Sequence, residues 1–164
     1  GIAAIQIAKL FGARVITTAS TDDKLTKAKA LGADEVINYT TQDFAQEVRR
    51  ITCKKGAEVV IEHVGGEVFE KSIRSLATNG RLVTCGATAG FNPPVDLRYI
   101  YSKHLNVLGS YMGSKSELLQ LLKFFDSGRL RPVVHAVYPL KDARKAHEAM
   151  ENRANFGKLV LQAP

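Results

Sequence analysis

The chain has 164 residues, and 23 Lys and Arg against 16 Asp and Glu give a formal net charge of +7. Hydrophobic residues make up 45% and charged residues 24%, which is the composition of one ordinary globular domain and excludes a disordered tail. The most apolar stretch, residues 1–11, falls well short of the roughly 20 residues that a membrane span needs.

A glycine followed by a short apolar run recurs through the first half of the chain. The copies lie at residues 12–16, 32–37, 56–61 and 80–83. Glycine suits the left-handed position just past the end of a helix, and a β-branched run after it is typical of a buried strand. The repeated order of helix, glycine and strand predicts an α/β fold, with a parallel sheet covered on both faces.

Helical patterns occupy the segments between these runs. Residues 1–11 leave almost no polar face, so we expect that helix to be buried on most sides. A second helix is capped near Thr21, a third is capped by Thr41, and a fourth covers about residues 67–76.

The second half of the chain begins with a loop. Residues 86–94 contain the glycines and consecutive prolines that are typical of irregular structure. Further elements are predicted as strands at 105–111, 133–138 and 158–162 and as helices at 115–125 and 142–151. No linker or low-complexity segment interrupts this order, so residues 1–164 are interpreted as one domain.

The two cysteines, Cys53 and Cys85, have no partner at the short spacing of a zinc or disulfide motif. We therefore expect two buried free thiols in a cytoplasmic protein, because reducing compartments keep thiols free. The basic residues occur as pairs such as Arg49 with Arg50, without a stripe of interleaved aromatic residues. Neither a nucleic acid nor a membrane is expected as a partner.

The position of a phosphate site follows from the parallel sheet. Such a sheet binds a nucleotide at the carboxyl ends of its strands, with the pyrophosphate at the amino end of the first helix. That helix begins at residue 1, so Gly1 can only be the last glycine of a G-x-G-x-x-G-like turn whose strand is expected upstream. Because that strand is central, we expect residues 1–164 alone to be unstable unless another segment fills its position.

The segment after residues 12–16 bears on coenzyme choice. That run is the second strand of the expected sheet, because the first strand is expected upstream. An acidic residue there would hold the ribose 2′-hydroxyl of NAD, but this sequence has Ala19. The Ser20 hydroxyl and the Lys24 ammonium suit a 2′-phosphate, which a carboxylate would repel. The alternative is that Ser20 turns the chain and Lys24 is a solvated helix residue.

Residues 1–9, 29–34, 36–39 and 157–161 resemble the medium-chain dehydrogenase/reductase superfamily. Within it the chain is most similar to bacterial zinc-containing alcohol dehydrogenases, with quinone oxidoreductases as neighbours. The resemblance implies a Rossmann-type, doubly wound parallel sheet that lacks its first strand and the start of the glycine-rich loop. It also implies a GroES-like catalytic domain that this sequence does not contain, a homo-oligomer formed through the present domain, and an alcohol, carbonyl or quinone substrate.

The resemblance further implies a set of coenzyme-binding residues. They are Gly1 on the pyrophosphate, Ser20 and Lys24 on the 2′-phosphate, Tyr39 beside the adenine ribose, His63 and Val64 at the adenine pocket, Gly86, Ala87 and Thr88 at the nicotinamide ribose, Leu108, Gly109 and Ser110 near the carboxamide, and Arg153 near the phosphates. Structural alternatives remain for three of these: Tyr39 as an aromatic cap, Leu108 as strand core and Arg153 as a surface ion.

The chain offers no catalytic or metal-binding motif. Its histidines never pair at the i, i+3 or i, i+4 spacing of zinc ligands, so zinc is expected only through the missing domain. We predict the coenzyme-binding part of an NAD(P)-dependent oxidoreductase that prefers NADP and acts on an alcohol/carbonyl pair. A zinc-free quinone or enone reductase using NADPH is the alternative within the enzyme class. A non-catalytic nucleotide- or RNA-binding module is the alternative outside it.

Overall fold

The computed structural model describes residues 1–164 as seven helices and seven strands. The strands are β1 (Ile16–Ala19), β2 (Glu35–Asn38), β3 (Ala57–Glu62), β4 (Leu76–Thr84), β5 (Asn106–Gly109), β6 (Val134–Pro139) and β7 (Lys158–Gln162). The helices are α1 (Ile2–Leu10), α2 (Asp22–Ala30), α3 (Phe44–Ile51), α4 (Gly66–Ser75), α5 (Leu97–Ser102), α6 (Lys115–Asp126) and α7 (Ala143–Glu151), with a 3₁₀ turn at Leu140–Asp142. None of the helices combines the length and the apolarity that crossing a bilayer requires.

All strand pairs are parallel, which confirms the predicted α/β class. β1 pairs with β2, β4 lies between β3 and β5, and β6 pairs with β7. β1 and β3 therefore have one strand neighbour each. This is the pairing expected of a doubly wound sheet in which a strand between β1 and β3 is not part of residues 1–164.

Two compact units make up the chain. The first unit consists of residues 1–15, 26–34 and 114–164, and it contains β6 and β7. The second unit consists of residues 16–25 and 35–113, and it contains β1 to β5. The strands whose carboxyl ends are predicted to bind a coenzyme thus all belong to the second unit.

The core of the second unit lies where α4 packs on β4 and the start of β5. Leu76 and Leu82 are fully buried, and Ile73 and Leu105 complete the cluster. Each such side chain stabilises the fold by about 1.5–3 kcal/mol relative to an exposed position. This cluster fixes the strands β3, β4 and β5 and thereby the loops at both of their ends.

The glycine rule holds for two of its four predicted copies. Gly12 and Gly32 have positive φ values within two residues of the end of a helix. Gly56 also has a positive φ, but it lies directly before β3, and Cys53 takes the left-handed position after α3. Gly80 does not have a positive φ, because it lies within β4, which starts at Leu76, directly after α4. The fourth copy of the pattern is therefore part of a longer strand.

The prediction that the first helix is buried on most sides is wrong. Only Ile5 of α1 is buried, whereas Ile7 is 36% exposed and Phe11, just past the helix, is 80% exposed. The helix packs on one side, and its remaining apolar surface lines a cavity of the first unit.

The predicted cap of α3 is also wrong. Asp43 is the N-cap, and its carboxylate accepts hydrogen bonds from the backbone N–H groups of Ala45 and Gln46. Thr41 instead donates its hydroxyl to the carbonyl of Asn38, inside the preceding turn. A carboxylate at the N-cap is favoured because it also interacts with the helix dipole.

Two further features differ from the sequence prediction. Cys53 and Cys85 are free, as expected, but both are exposed rather than buried, because they lie in the turns after α3 and β4. The short helix α5 was not predicted; Asp96 caps it, and its carboxylate also pairs with Arg98.

Candidate functional site

Ser20 and Tyr39 lie at the same edge of the β1–β2 sheet, since each follows the last residue of its strand. The backbone N–H of Tyr39 donates to the carbonyl of Ala19 at 3.1 Å. The hydroxyl of Thr40 reaches the carbonyl of Ser20 at 3.5 Å. Lys24 lies in the first turn of α2, and its N–H donates to the Thr21 hydroxyl at 3.4 Å. Ser20, Lys24 and Tyr39, three of the residues predicted to hold the adenosine half of the coenzyme, therefore all follow closely on the carboxyl ends of β1 and β2.

Asp22 lies in the sequence between Ser20 and Lys24, the residues predicted to hold the 2′-phosphate. Its carboxylate accepts a hydrogen bond of 2.9 Å from the side-chain amide of Asn38, the last residue of β2. Asp22 thus helps to join the start of α2 to the end of β2. This bond gives the carboxylate a structural role at the sheet edge.

Hydrogen bonds join the loop after β3 to the loop after β4. The Thr88 hydroxyl donates to the carbonyl of His63 at 3.0 Å, and the N–H of Ala89 donates to the carbonyl of Val64 at 2.7 Å. Five of the predicted coenzyme contacts, His63, Val64, Gly86, Ala87 and Thr88, belong to these two loops. The structure therefore holds them in one continuous patch of backbone.

Close backbone approaches at two glycines make this patch possible. A Cβ atom at Gly65 would lie 2.4 Å from the carbonyl oxygen of Gly90, and one at Gly86 would lie 3.1 Å from that of His63. Gly65 also has φ +74°, which disfavours any other residue. Only glycine fits at Gly65 without displacing the neighbouring loop.

The third part of this edge is the end of β5. The N–H of Ser110 donates to the carbonyl of Thr84 at 2.9 Å, which ties the residue after β5 to the end of β4. Leu108 is 45% exposed rather than part of the strand core. A Cβ at Gly109 would meet nothing within 4 Å, so the backbone there has open space beside it.

Glu62, which sequence reasoning missed, organises the loop after β3. It is the last residue of β3 and is only 3% exposed. Oε1 accepts hydrogen bonds from the N–H groups of Val64 at 2.6 Å and Gly65 at 2.9 Å, while Oε2 is buried without a hydrogen-bond partner. The signal in the sequence was an acidic residue that closes an apolar run shortly before two consecutive glycines. Buried polar atoms are normally paired, so Oε2 fits a site that receives a donor from a bound molecule.

Two predicted contacts lie in the first unit. Gly1 is the N-cap of α1, no side chain caps that helix end, and a Cβ at Gly1 would meet nothing within 4 Å. Arg153 follows α7 with a positive φ of 52° and is exposed. As the N-cap of α1, Gly1 lies at the helix end that favours anionic groups.

A cavity of the first unit has a different character. It has a volume of about 420 Å³, and α1 and α6 supply apolar walls such as Ile7, Leu121 and Phe125. The Gln6 side chain exchanges two hydrogen bonds with the backbone of Arg131, at 2.9 and 3.0 Å. Gly1, Arg131 and Lys158 also line this cavity, so its wall is not wholly apolar. No group of three or more His, Cys, Asp or Glu side chains is placed to hold a metal ion.

A family model described as zinc-binding dehydrogenase matches residues 1–127. The chain belongs to the zinc-binding dehydrogenase family. This confirms the resemblance to the medium-chain dehydrogenase/reductase superfamily and the prediction of its NAD(P)-binding, Rossmann-type domain.

Relatives in this family include two enzymes of different description. A 2-haloacrylate reductase from Burkholderia sp is 36% identical over 168 residues, which covers 94% of this chain and 49% of the relative. Quinone oxidoreductase 1 from Escherichia coli (strain K12) is 35% identical over 172 residues, covering 98% of this chain and 53% of the relative. The chain spans about half the length of the curated relatives it matches.

A crystal structure of an NAD-dependent alcohol dehydrogenase has the same fold. It superimposes with a TM-score of 0.93 at 49% sequence identity, over 99% of this chain and 48% of that chain. The proteins similar to this chain thus include an alcohol dehydrogenase and a quinone oxidoreductase, as the sequence predicted.

Proposed function

We propose that the protein is an NADP-preferring oxidoreductase that moves a hydride between a nicotinamide and an alcohol/carbonyl pair. The supporting observation is the patch of hydrogen-bonded backbone at the carboxyl ends of β3, β4 and β5, described above. Parallel sheets of this type bind their nucleotides at that edge. Family membership supports the same reaction class.

The residues present fit a dinucleotide in their chemistry. Gly1 lies at the start of α1, the helix end that favours a pyrophosphate, while Ser20 and Lys24 supply a hydroxyl and an ammonium for the 2′-phosphate. Tyr39 lies at the end of β2 for the adenine ribose, and Arg153 offers a further cation for the phosphates. We assign the adenine pocket and the nicotinamide side to the joined loops after β3 and β4 and to the end of β5. The residues are His63, Val64, Gly86, Ala87, Thr88, Leu108, Gly109 and Ser110.

The chain's own part in the reaction is binding and orientation. The bound coenzyme supplies the hydride at nicotinamide C4. Glu62 fixes the loop after β3 through two backbone N–H groups, and the Thr88 hydroxyl fixes the loop after β4 against it. Because these bonds are made within the protein, the patch is preorganised and loses little freedom when a ligand binds.

The preference for NADP rests on the end of β1. Ala19 leaves the position of the ribose-binding carboxylate without charge, and Ser20 and Lys24 complement a phosphate. The Asp22 carboxylate, which would oppose a phosphate, is hydrogen-bonded to Asn38. A preference for NAD over NADP is the competing outcome, since a similar solved structure is named an NAD-dependent alcohol dehydrogenase.

Titration of the full-length protein with NADPH and NADH tests this preference. We expect NADPH to bind more tightly, and Ala19→Asp to weaken NADPH by at least about tenfold because a carboxylate repels the 2′-phosphate. Thr18→Asp is the matched control, since it adds the same charge one residue earlier, on the opposite face of β1. Tighter binding of NADH by the unmodified protein would refute the preference.

A zinc-free reductase of conjugated double bonds is the second candidate. It is favoured by the similarity to a 2-haloacrylate reductase and a quinone oxidoreductase. Metal analysis of the full-length protein separates the candidates, because one tightly bound zinc per active site supports the alcohol dehydrogenase reaction. Turnover of an enone in metal-free protein supports the reductase. No observation favours the RNA-binding module.

We also propose a cytoplasmic homo-oligomer that associates along β5. This strand pairs only with β4, and Val107 and Leu108 are 42% and 45% exposed. An edge strand of this kind readily pairs with another chain. Both thiols are free and exposed, which suits a reducing compartment. Light scattering of the full-length protein tests the association, and we expect Val107→Lys to lower the molecular mass.

A further inference from the structure

The second unit also contains a cavity, at the other end of β3 from the candidate coenzyme site. It has a volume of about 110 Å³ and includes Gly56, the residue directly before β3. The six residues of β3 separate the two ends by roughly 16 Å. Five cationic side chains line this cavity, which we call the basic pocket: Arg49, Lys54, Lys55, Arg74 and Lys103. The pocket contains no acidic lining residue.

The positive charge of the basic pocket is largely uncompensated. Arg49, Lys54 and Lys55 form no ion pair or side-chain hydrogen bond in the structure. Arg74 forms an ion pair with Glu70, at 3.9 Å on its own helix, and its charge also acts on the Asp96 carboxylate. Burial and the nearby Arg49 guanidinium lower the pKa of Lys103. Like charges held this close repel one another, and a bound anion would relieve that repulsion.

Two of the five cations are held in place by the protein. The Lys103 ammonium donates to the carbonyl oxygens of Leu76 at 2.7 Å and of Arg74 at 3.3 Å. The Lys103 ammonium and the Arg74 guanidinium each lie 5.7 Å from the ring centre of Tyr99, a cation–π distance. Tyr99 packs against the buried core cluster of α4 and β4. One wall of the basic pocket is therefore built on rigid structure.

The loop that carries Lys54 and Lys55, which also line the basic pocket, is strained. Cys53 and Lys54 are consecutive non-glycine residues with positive φ, 51° and 68°. Their N–H groups donate to the carbonyls of Arg50 and Arg49, and the Lys55 N–H donates to Thr52. The loop's backbone donors are thus used internally, so its side chains are what remains for recognition. Backbone strain of this kind persists only where the surrounding structure holds it.

We propose that the basic pocket binds the phosphate group of a small anionic ligand, independently of the coenzyme. Arginine and lysine side chains are the usual partners of phosphate, and arginine can donate two parallel hydrogen bonds to it. The volume equals that of about four water molecules, which suits one tetrahedral oxyanion. It is well below the roughly 300 Å³ of pockets that enclose larger organic ligands, so the remainder of the ligand extends into solvent.

Calorimetric titration with pyrophosphate tests this proposal. The full-length protein is first saturated with NADPH, so that the candidate coenzyme site cannot take up the probe, and the ionic strength is held constant with chloride. We expect pyrophosphate to bind, and the double variant Lys54→Gln, Lys55→Gln to weaken it by about tenfold or more. Arg49→Gln should also weaken it. Inorganic phosphate and glycerol 3-phosphate show whether the site prefers a free anion or an ester.

The matched control is Lys115→Gln with Lys123→Gln, two exposed lysines of α6. It removes the same charge far along the chain from the basic pocket and should leave pyrophosphate affinity unchanged. Equal weakening in both double variants would show non-specific attraction and overturn the proposal, as would the lack of binding above the chloride background. Coenzyme affinity is measured separately in each variant, so a failure of the proposed coenzyme preference leaves this result readable.

Discussion

The two ends of the β3–β4–β5 sheet use opposite chemistry, although the same strands and the same buried core support both. At the carboxyl end, glycines, backbone N–H groups and the buried Glu62 form a patch with little side-chain charge. At the amino end, five cationic side chains converge on a small cavity. The carboxyl end is therefore specified mostly by backbone geometry, whereas the amino end is specified by side-chain charge. Substitutions should affect the two ends in different ways.

The largest expected effect is a loss of stability in Gly65→Ala at the carboxyl end. The added Cβ would lie 2.4 Å from the Gly90 carbonyl oxygen, so the joined loops must move apart. We expect about 3 kcal/mol of lost unfolding free energy, together with weaker coenzyme binding. Urea unfolding of the full-length protein measures the first effect, and NADPH titration measures the second.

Gly12→Ala is the control for a positive φ without a close contact, whereas Gly65 also has ψ −158°, a backbone region that only glycine adopts readily. Gly12 has the same φ of +74°, but a Cβ there would meet nothing within 4 Å. It should cost only about 1 kcal/mol. If the two variants were equally destabilised, contact between the loops would not be what requires glycine at Gly65.

The next effect concerns the buried carboxylate. Glu62→Ala removes the acceptor of the Val64 and Gly65 N–H groups, and we expect a loss of about 2 kcal/mol. Glu62→Gln keeps one acceptor oxygen and should lose less. Glu58→Ala, at an exposed position of the same strand, should be nearly neutral. Similar unfolding midpoints for Glu62→Ala and Glu58→Ala would contradict the role given to Glu62.

A smaller, pH-dependent effect belongs to Asp43 at the start of α3, the helix that leads from the carboxyl end of β2 to the basic pocket. The N–H of Gln46 and the ammonium of Lys71, at 3.1 Å, lower the pKa of the Asp43 carboxyl group. A lowered folded-state pKa means that its stabilisation is present above the unfolded pKa of about 3.9 and is lost as pH falls through the folded value.

Asp43→Asn cannot titrate, so its unfolding midpoint should change less than that of the unmodified protein as pH falls below about 4. Thermal unfolding between neutral pH and pH 2 measures the difference. Asp126→Asn, on the exposed end of α6, should follow the unmodified protein. A parallel decline in all three proteins would remove Asp43 from the acid-sensitive groups.

The smallest expected effect has the opposite sign. Lys54→Gly relieves a positive φ of 68° and removes one charge from the basic pocket. We expect a gain in stability of up to about 1 kcal/mol together with weaker pyrophosphate binding. Calorimetry and unfolding on the same sample reveal both changes. A loss of stability would show that the loop is not strained at Lys54.

Sequence patterns predicted much of the fold because strand and helix periodicity is local. The run that became β7 was predicted to the residue, and the order of parallel strands followed from the repeated glycine pattern. The cap of α3 was misplaced, because Thr41 and Asp43 are both good capping residues and only the backbone geometry chooses between them. The burial of α1 was overestimated because hydrophobicity states what a helix can bury, without stating what covers it.

The sequence by itself determined the α/β class and the family, and it predicts a coenzyme site at the carboxyl ends of the strands, since these depend on local patterns and on the rules of parallel sheets. Only the tertiary structure decided that Glu62 is buried with one oxygen unpaired and that two loops are joined through glycines. It alone brought together Arg49, Arg74 and Lys103, which come from three different helices or their ends. Burial and convergence are relations between distant residues, and no local pattern records them.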